Sequence, residues 1–171
     1  GDGHIDRARA AMGRQFEGEF EAFTERVARE TMKIAGYEHL HVDQVRPNTR
    51  RAMRAVLTTL EGADYGALGL TLREIAYLRA KQGFRPQTLF DVVDLTESAV
   101  GEVATRCLTG NEELMAAAIV TRRICDGARA VILGAFSQAH QEAQEQVERL
   151  ARQFSAPILP VLPGVLVLPI V

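Results

Sequence analysis

Apolar and polar positions alternate with a helical period along most of this chain. Phe16, Phe20, Phe23 and Val27 recur at steps of four, three and four, which places them on one face of a helix. Gly36 and the loop after it end that face. Pro47 and Asn48 suit the opening of a second helix, with Met53, Val56, Leu57 and Leu60 inward and a stop at Gly62. Thr71 precedes Glu74 by a capping-box spacing and predicts a third helix ending near Gly83. Pro86 suits the first turn of a fourth, whose apolar face is Leu89, Val93, Thr96, Val100, Val103 and Cys107. Gly110 and Asn111 break it.

The fifth predicted helix runs from Glu112 to Phe154 without a proline. At about 1.5 Å per residue it would be roughly 60 Å long, more than the width of a small domain. Leu114, Ile119, Val120, Ile124, Ala128, Val131 and Ile132 make its first half apolar on most sides, as a buried segment would be. From there the pattern narrows to Leu133, Phe136, His140, Ala143, Val147, Leu150 and Phe154, at alternating steps of three and four. This is the heptad seam of a two-stranded coiled coil, and it predicts a parallel homodimer. Packing of the seam on its own domain is the alternative. A seam histidine facing its symmetry mate would resist double protonation, so His140 would loosen the pair below about pH 6.

After Ser155 the texture changes to prolines and β-rich apolar runs, 157–161 and 165–168, around the turn-forming Leu162-Pro163-Gly164. A β-hairpin is expected there, and two strands alone are marginal in water. The chain is therefore expected to stop inside a second domain.

Composition narrows the function classes. Of 171 residues 47% are apolar and 25% charged, the mix of a folded globular protein. A net charge of −2 gives no electrostatic case for nucleic acid or for an anionic membrane. No uninterrupted apolar run is long enough to span a bilayer, and residues 5–33 are too rich in Arg and Glu for a signal peptide. The two widely spaced cysteines, Cys107 and Cys125, read as packing residues of an intracellular protein. A cytoplasmic location is expected.

The string from Phe154 to Val171 resembles the entry into the STAS domain of RsbR-type stressosome proteins, the RsbT co-antagonist family. There a linker helix ends in Ser-(Thr/Ala)-Pro before two opening strands. Residues 1–135 resemble the N-terminal domain of that family through helix order and the ending Arg79-Ala80-Lys81-Gln82-Gly83. The resemblance implies an all-α fold class with three parts. Residues 1–135 would be a globin-like sensor domain without haem, 136–155 a linker helix forming a coiled-coil dimer, and 156–171 a short β-hairpin from a truncated STAS domain. It also implies a stress-signalling scaffold rather than an enzyme. The partners would be a STAS-only, RsbS-like scaffold protein and an RsbT-like switch kinase, with an alternative sigma factor or related output downstream. The family is phosphorylated on threonines of the linker and STAS region. Here no threonine follows Thr121, which leaves Ser155 as the candidate phosphosite, against a plain helix-ending residue beside Pro157.

Haem needs an axial ligand, usually histidine, and residues 86–108 contain none, so no cofactor is expected. The alternative function is a small-molecule or gas sensor, with Phe90, Val93, Val100, Ile119 and Ile124 lining a pocket. Otherwise these residues form a plain packed core. His39, His41 and Asp43 would share one side of an extended loop, but no fourth metal ligand lies near them and a solvated loop is the expectation. Arg46, Arg50, Arg51 and Arg54 cluster at a helix start, to meet an acidic partner or to form a solvated face. No glycine-rich phosphate loop and no nucleophile elbow occur.

Overall fold

The computed structural model describes residues 2–154, 159–162 and 165–167. Its framework is six helices: α1 (Asp2–Gly18), α2 (Phe20–Thr31), α3 (Val42–Gly62), α4 (Gly66–Lys81), α5 (Pro86–Cys107) and α6 (Asn111–Phe154). The chain divides into two units, residues 1–136 and 137–171.

The first unit holds two apolar cores. Met12, Phe16, Phe20, Phe23, Val27, Leu60, Val103 and Val120 anchor the larger one. The periodic phenylalanines do share a face, but the backbone departs from helical geometry at Glu19 (φ −115°, ψ 17°), so the face runs over two helices. The Phe16 ring lies 4.6 Å from that of Phe23 and 5.9 Å from that of Phe20. Tyr37, Phe84, Leu89, Val93, Cys125 and Ile132 build the smaller core. One side of the first half of α6 joins both, through Val120 and Ile124 in the larger and Ala128 and Ala135 in the smaller.

Two helix starts differ from the pattern-based expectation. Helix α3 begins at Val42, ahead of Pro47, because His41 caps it. The His41 ring accepts from the Asp43 amide at 3.2 Å, and the Gln44 side chain accepts from the His41 amide at 2.8 Å, a capping box. Helix α4 begins at Gly66, whose amide donates to the Asp64 carboxylate at 2.9 Å, so Thr71 is interior rather than a cap.

Two glycines are required by geometry. Gly36 has φ +110°, and a Cβ there would come within 2.9 Å of the Thr88 side chain, which seats the α2–α3 connection on the first turn of α5. Gly83, at φ +86°, ends α4 in a Schellman motif. The Phe84 amide donates to the Arg79 carbonyl at 3.0 Å and the Gly83 amide to the Ala80 carbonyl at 3.1 Å.

The arginine cluster is answered within the chain. Arg50 makes a bidentate pair with Glu21 (2.6 and 2.7 Å), Arg46 pairs with Glu25 (2.8 Å) and Asp43, and Arg51 pairs with Glu74. Arg54 stacks over the Phe20 ring at 4.2 Å. Similar pairs, Arg26 with Glu102 and Arg106 with Glu19, tie α5 to the α1–α2 segment. Glu19, Glu21, Glu25 and Glu102 are held below the ordinary carboxylate value, first by hydrogen bonds from Arg106, Arg50, Arg46 and Arg26. Their folded values are depressed, so the stability they contribute is present above the unfolded value and lost as pH falls through the folded one. The thermal midpoint should therefore fall as pH drops from about 5 to 3. In the Glu21→Gln, Glu25→Gln double variant that fall should be shallower. Identical pH profiles for variant and parent, followed by circular dichroism, would remove these pairs from the acid response.

The expected architecture needs correction in its second half. Among the described residues the fold is all-α, and only seven of them follow Phe154. Among the described residues the only strands are β1 (Leu159–Leu162) and β2 (Val165–Val167), four and three residues long. Among the described residues they pair with each other alone, antiparallel, with a register irregularity between Pro160 and Leu162. Proline has no amide hydrogen to give a ladder, and two such short strands do not amount to a sheet.

Candidate ligand cavity

A cavity of about 100 Å³ lies inside the first unit, walled by side chains of α2 to α6 and of the α2–α3 connection. The walls are mostly apolar, with Val27, Met53, Val56, Leu72, Val93 and Ile124 among them. Of the expected lining residues, Val93 and Ile124 are in place and the other three are not. Val100 is buried in the larger core, and Phe90 packs half-buried on the smaller one. Ile119 is 43% exposed, because it sits well round the helix from the buried stripe of Ala116, Val120 and Ile124.

The polar groups of the cavity are few. The hydroxyls of Thr31, Thr49 and Thr96 donate to the carbonyls one turn back, of Val27, Val45 and Val92, at 2.7, 3.1 and 2.9 Å. Asn48, Tyr37 and Arg79 complete the set. Arg79 is the anomaly. It is only 3% exposed, yet among the described residues no carboxylate pairs with it. Buried arginines are almost always paired.

Its surroundings explain how it is held. The Schellman turn at Gly83 folds Phe84 back so that the guanidinium lies 5.4 Å from its ring centroid. Tyr37, from the α2–α3 connection, stands on another side at 5.6 Å, its ring in edge contact with Phe84 at 5.0 Å. Nη1 donates to the Gln82 side chain at 2.8 Å, while Nε is buried without a hydrogen-bond acceptor. Two aromatic faces thus offset part of the desolvation of a cation, and one donor is left over. Burial pushes the Tyr37 phenol above its ordinary value, and the adjacent guanidinium offsets part of that rise.

Residue patterns did carry a trace of this site. Leu68, Leu72, Ala76 and Arg79 follow one another at helical spacing, so Arg79 occupies a position where the period calls for an apolar residue.

Cys125 also lines the cavity, and burial pushes its thiol up to about 12. Cys107 is only partly covered, with a smaller rise from the same cause. A disulfide reagent at pH 8 should label Cys107 in the native protein and Cys125 only after denaturant is added. Equal native labelling rates for Cys107→Ser and Cys125→Ser chains would contradict this placement.

The remaining candidates resolve simply. His41 and Asp43 serve the α3 cap, and His39 lies against Phe84 with ring centroids 5.6 Å apart. Among the described residues no group of His, Cys, Asp and Glu has metal-site geometry, and no helix is long and apolar enough to cross a membrane. Of the seam, Leu133, His140, Ala143, Val147, Leu150 and Phe154 are exposed, whereas Phe136 is half-buried against the smaller core. Ser155 lies outside the described residues. Comparison with known proteins found no matching family model, no similar curated protein and no similar solved structure.

Proposed function

We propose that this chain is a non-enzymatic signalling subunit of the stressosome type, cytoplasmic, which pairs with a second copy through the last turns of α6. The observation that carries this reading is the exposed apolar stripe there. Val147, Leu150 and Phe154 are 65%, 44% and 54% exposed, at heptad spacing, on a helix otherwise lined by Gln, Glu and Arg. Such a stripe on one chain is what a two-stranded coiled coil covers. A pair of helices that begins inside a domain can pass on a small shift or rotation. The partners that follow from the resemblance are a STAS-only scaffold protein and a switch kinase. The test is to mix the protein its gene encodes with such a scaffold and measure mass by light scattering. A megadalton particle supports the proposal. A free dimer detaches the chain from stressosomes, and a monomer removes the seam as well.

A second reading, a small-molecule sensor, rests on the cavity beside Arg79. Native mass spectrometry of the purified chain tests it, since a retained ligand adds a discrete mass.

A further inference from the structure

We propose that the cavity is a binding site for a short-chain aliphatic monocarboxylate, its carboxylate held by Arg79 and its tail by the apolar walls. This deepens the small-molecule reading and rests on it.

Three observations converge. The first is charge. Arg79 supplies a full positive charge at 3% exposure with no carboxylate partner among the described residues, and its Nε lacks an acceptor. An anion with planar oxygens is the group that a guanidinium takes best. The second is that the protein's own polar groups answer it only in part: the Tyr37 hydroxyl shares a side-chain hydrogen bond with the guanidinium, and Nε still lacks an acceptor. The hydroxyls of Thr31, Thr49 and Thr96 are committed to backbone carbonyls, and Gln82 reaches only Nη1. The third is size and texture. An engineered apolar cavity of about 150 Å³ holds benzene, so about 100 Å³ suits a ligand of roughly four to six heavy atoms. The apolar walls favour an alkyl tail over a second polar group, which they would leave without a partner. A dicarboxylate is excluded on the same ground, and phosphate or sulfate would leave the apolar walls uncovered. Propionate and butyrate fit both the volume and the single charge.

The site also has a route to the rest of the molecule. Ile124, Ala128 and Ile132 line the cavity from α6, the helix that carries the seam. A ligand tail against them would bear directly on that helix.

The experiment is calorimetric titration of the full chain with butyrate and, separately, with 1-butanol, which has the same tail and no charge. The expected result is butyrate binding at least tenfold tighter than the alcohol. In Arg79→Met, checked for folding by circular dichroism, butyrate should fall to the level of the alcohol while alcohol binding persists. Ala128→Leu, which fills the cavity and leaves Arg79 in place, should abolish both and keeps the test open if Arg79→Met does not fold. If butanol binds as tightly as butyrate, the carboxylate assignment is overturned and the cavity stands as a neutral apolar site. If neither ligand binds at millimolar concentration, the small-molecule reading falls with it.

Discussion

Replacing Phe16 by alanine should lower the unfolding free energy by about 3–5 kcal/mol, the range for removing a fully buried aromatic ring. The side chain is 0% exposed and touches the rings of Phe20 and Phe23 at the meeting of α1 and α2. Truncation loses the transfer energy of the ring and leaves a void. Collapse of that void is opposed by Leu60 and Val103, which are themselves fully buried on α3 and α5. Urea unfolding reads the effect as a lower midpoint at unchanged slope. Leu70→Ala is the control, because Leu70 is 64% exposed and its loss should stay within about 0.5 kcal/mol. A Phe16→Ala cost below about 1.5 kcal/mol would mean that this core is not the one that holds the unit together.

The second large effect concerns association rather than folding. On the proposal that α6 pairs with a second copy, Leu150→Asp would place two carboxylates in one apolar seam. Burying unpaired charge there should cost about 3 kcal/mol or more per dimer, at least a hundredfold in the dissociation constant. In the single chain Leu150 is 44% exposed, so the monomer's thermal midpoint should barely move. Sedimentation equilibrium separates the two quantities. Gln144→Asp, off the seam, is the matched control for charge. An unchanged monomer–dimer constant in Leu150→Asp would show that the stripe is not the contact, whatever the mass of the protein.

These effects divide along the line between local and tertiary information. Amino-acid order alone determined most of the helical framework, though not the break at Glu19 that divides its first segment into α1 and α2. The phenylalanine face, Pro86 at the start of α5 and the proline-free run up to Phe154 all act within a few residues, and helix formation responds to that range. Gly83 is legible for the same reason, since a Schellman end is a local motif. Other features were not legible. His41 is not a usual capping residue, and only its ring geometry moves the start of α3 ahead of Pro47. The strand-like texture after Ser155 predicted strands, and residues 159–162 and 165–167 pair with each other, but which further strands would join them is not a local property.

Tertiary structure alone decided the rest. The arginines of α3 read as a solvated face or a surface for an acidic partner until Glu21, Glu25 and Glu74 met them from α2 and α4. Ile119 read as a pocket residue until the angular position of the buried stripe on α6 was known. Arg79 showed only as a charged residue at an apolar position of α4. Its meaning depends on Tyr37 and Phe84 arriving on two sides and on no acid arriving from the described residues. Periodicity says which side chains turn inward. Which groups they meet there is set by how the helices pack, and a buried cation takes its chemistry from those neighbours.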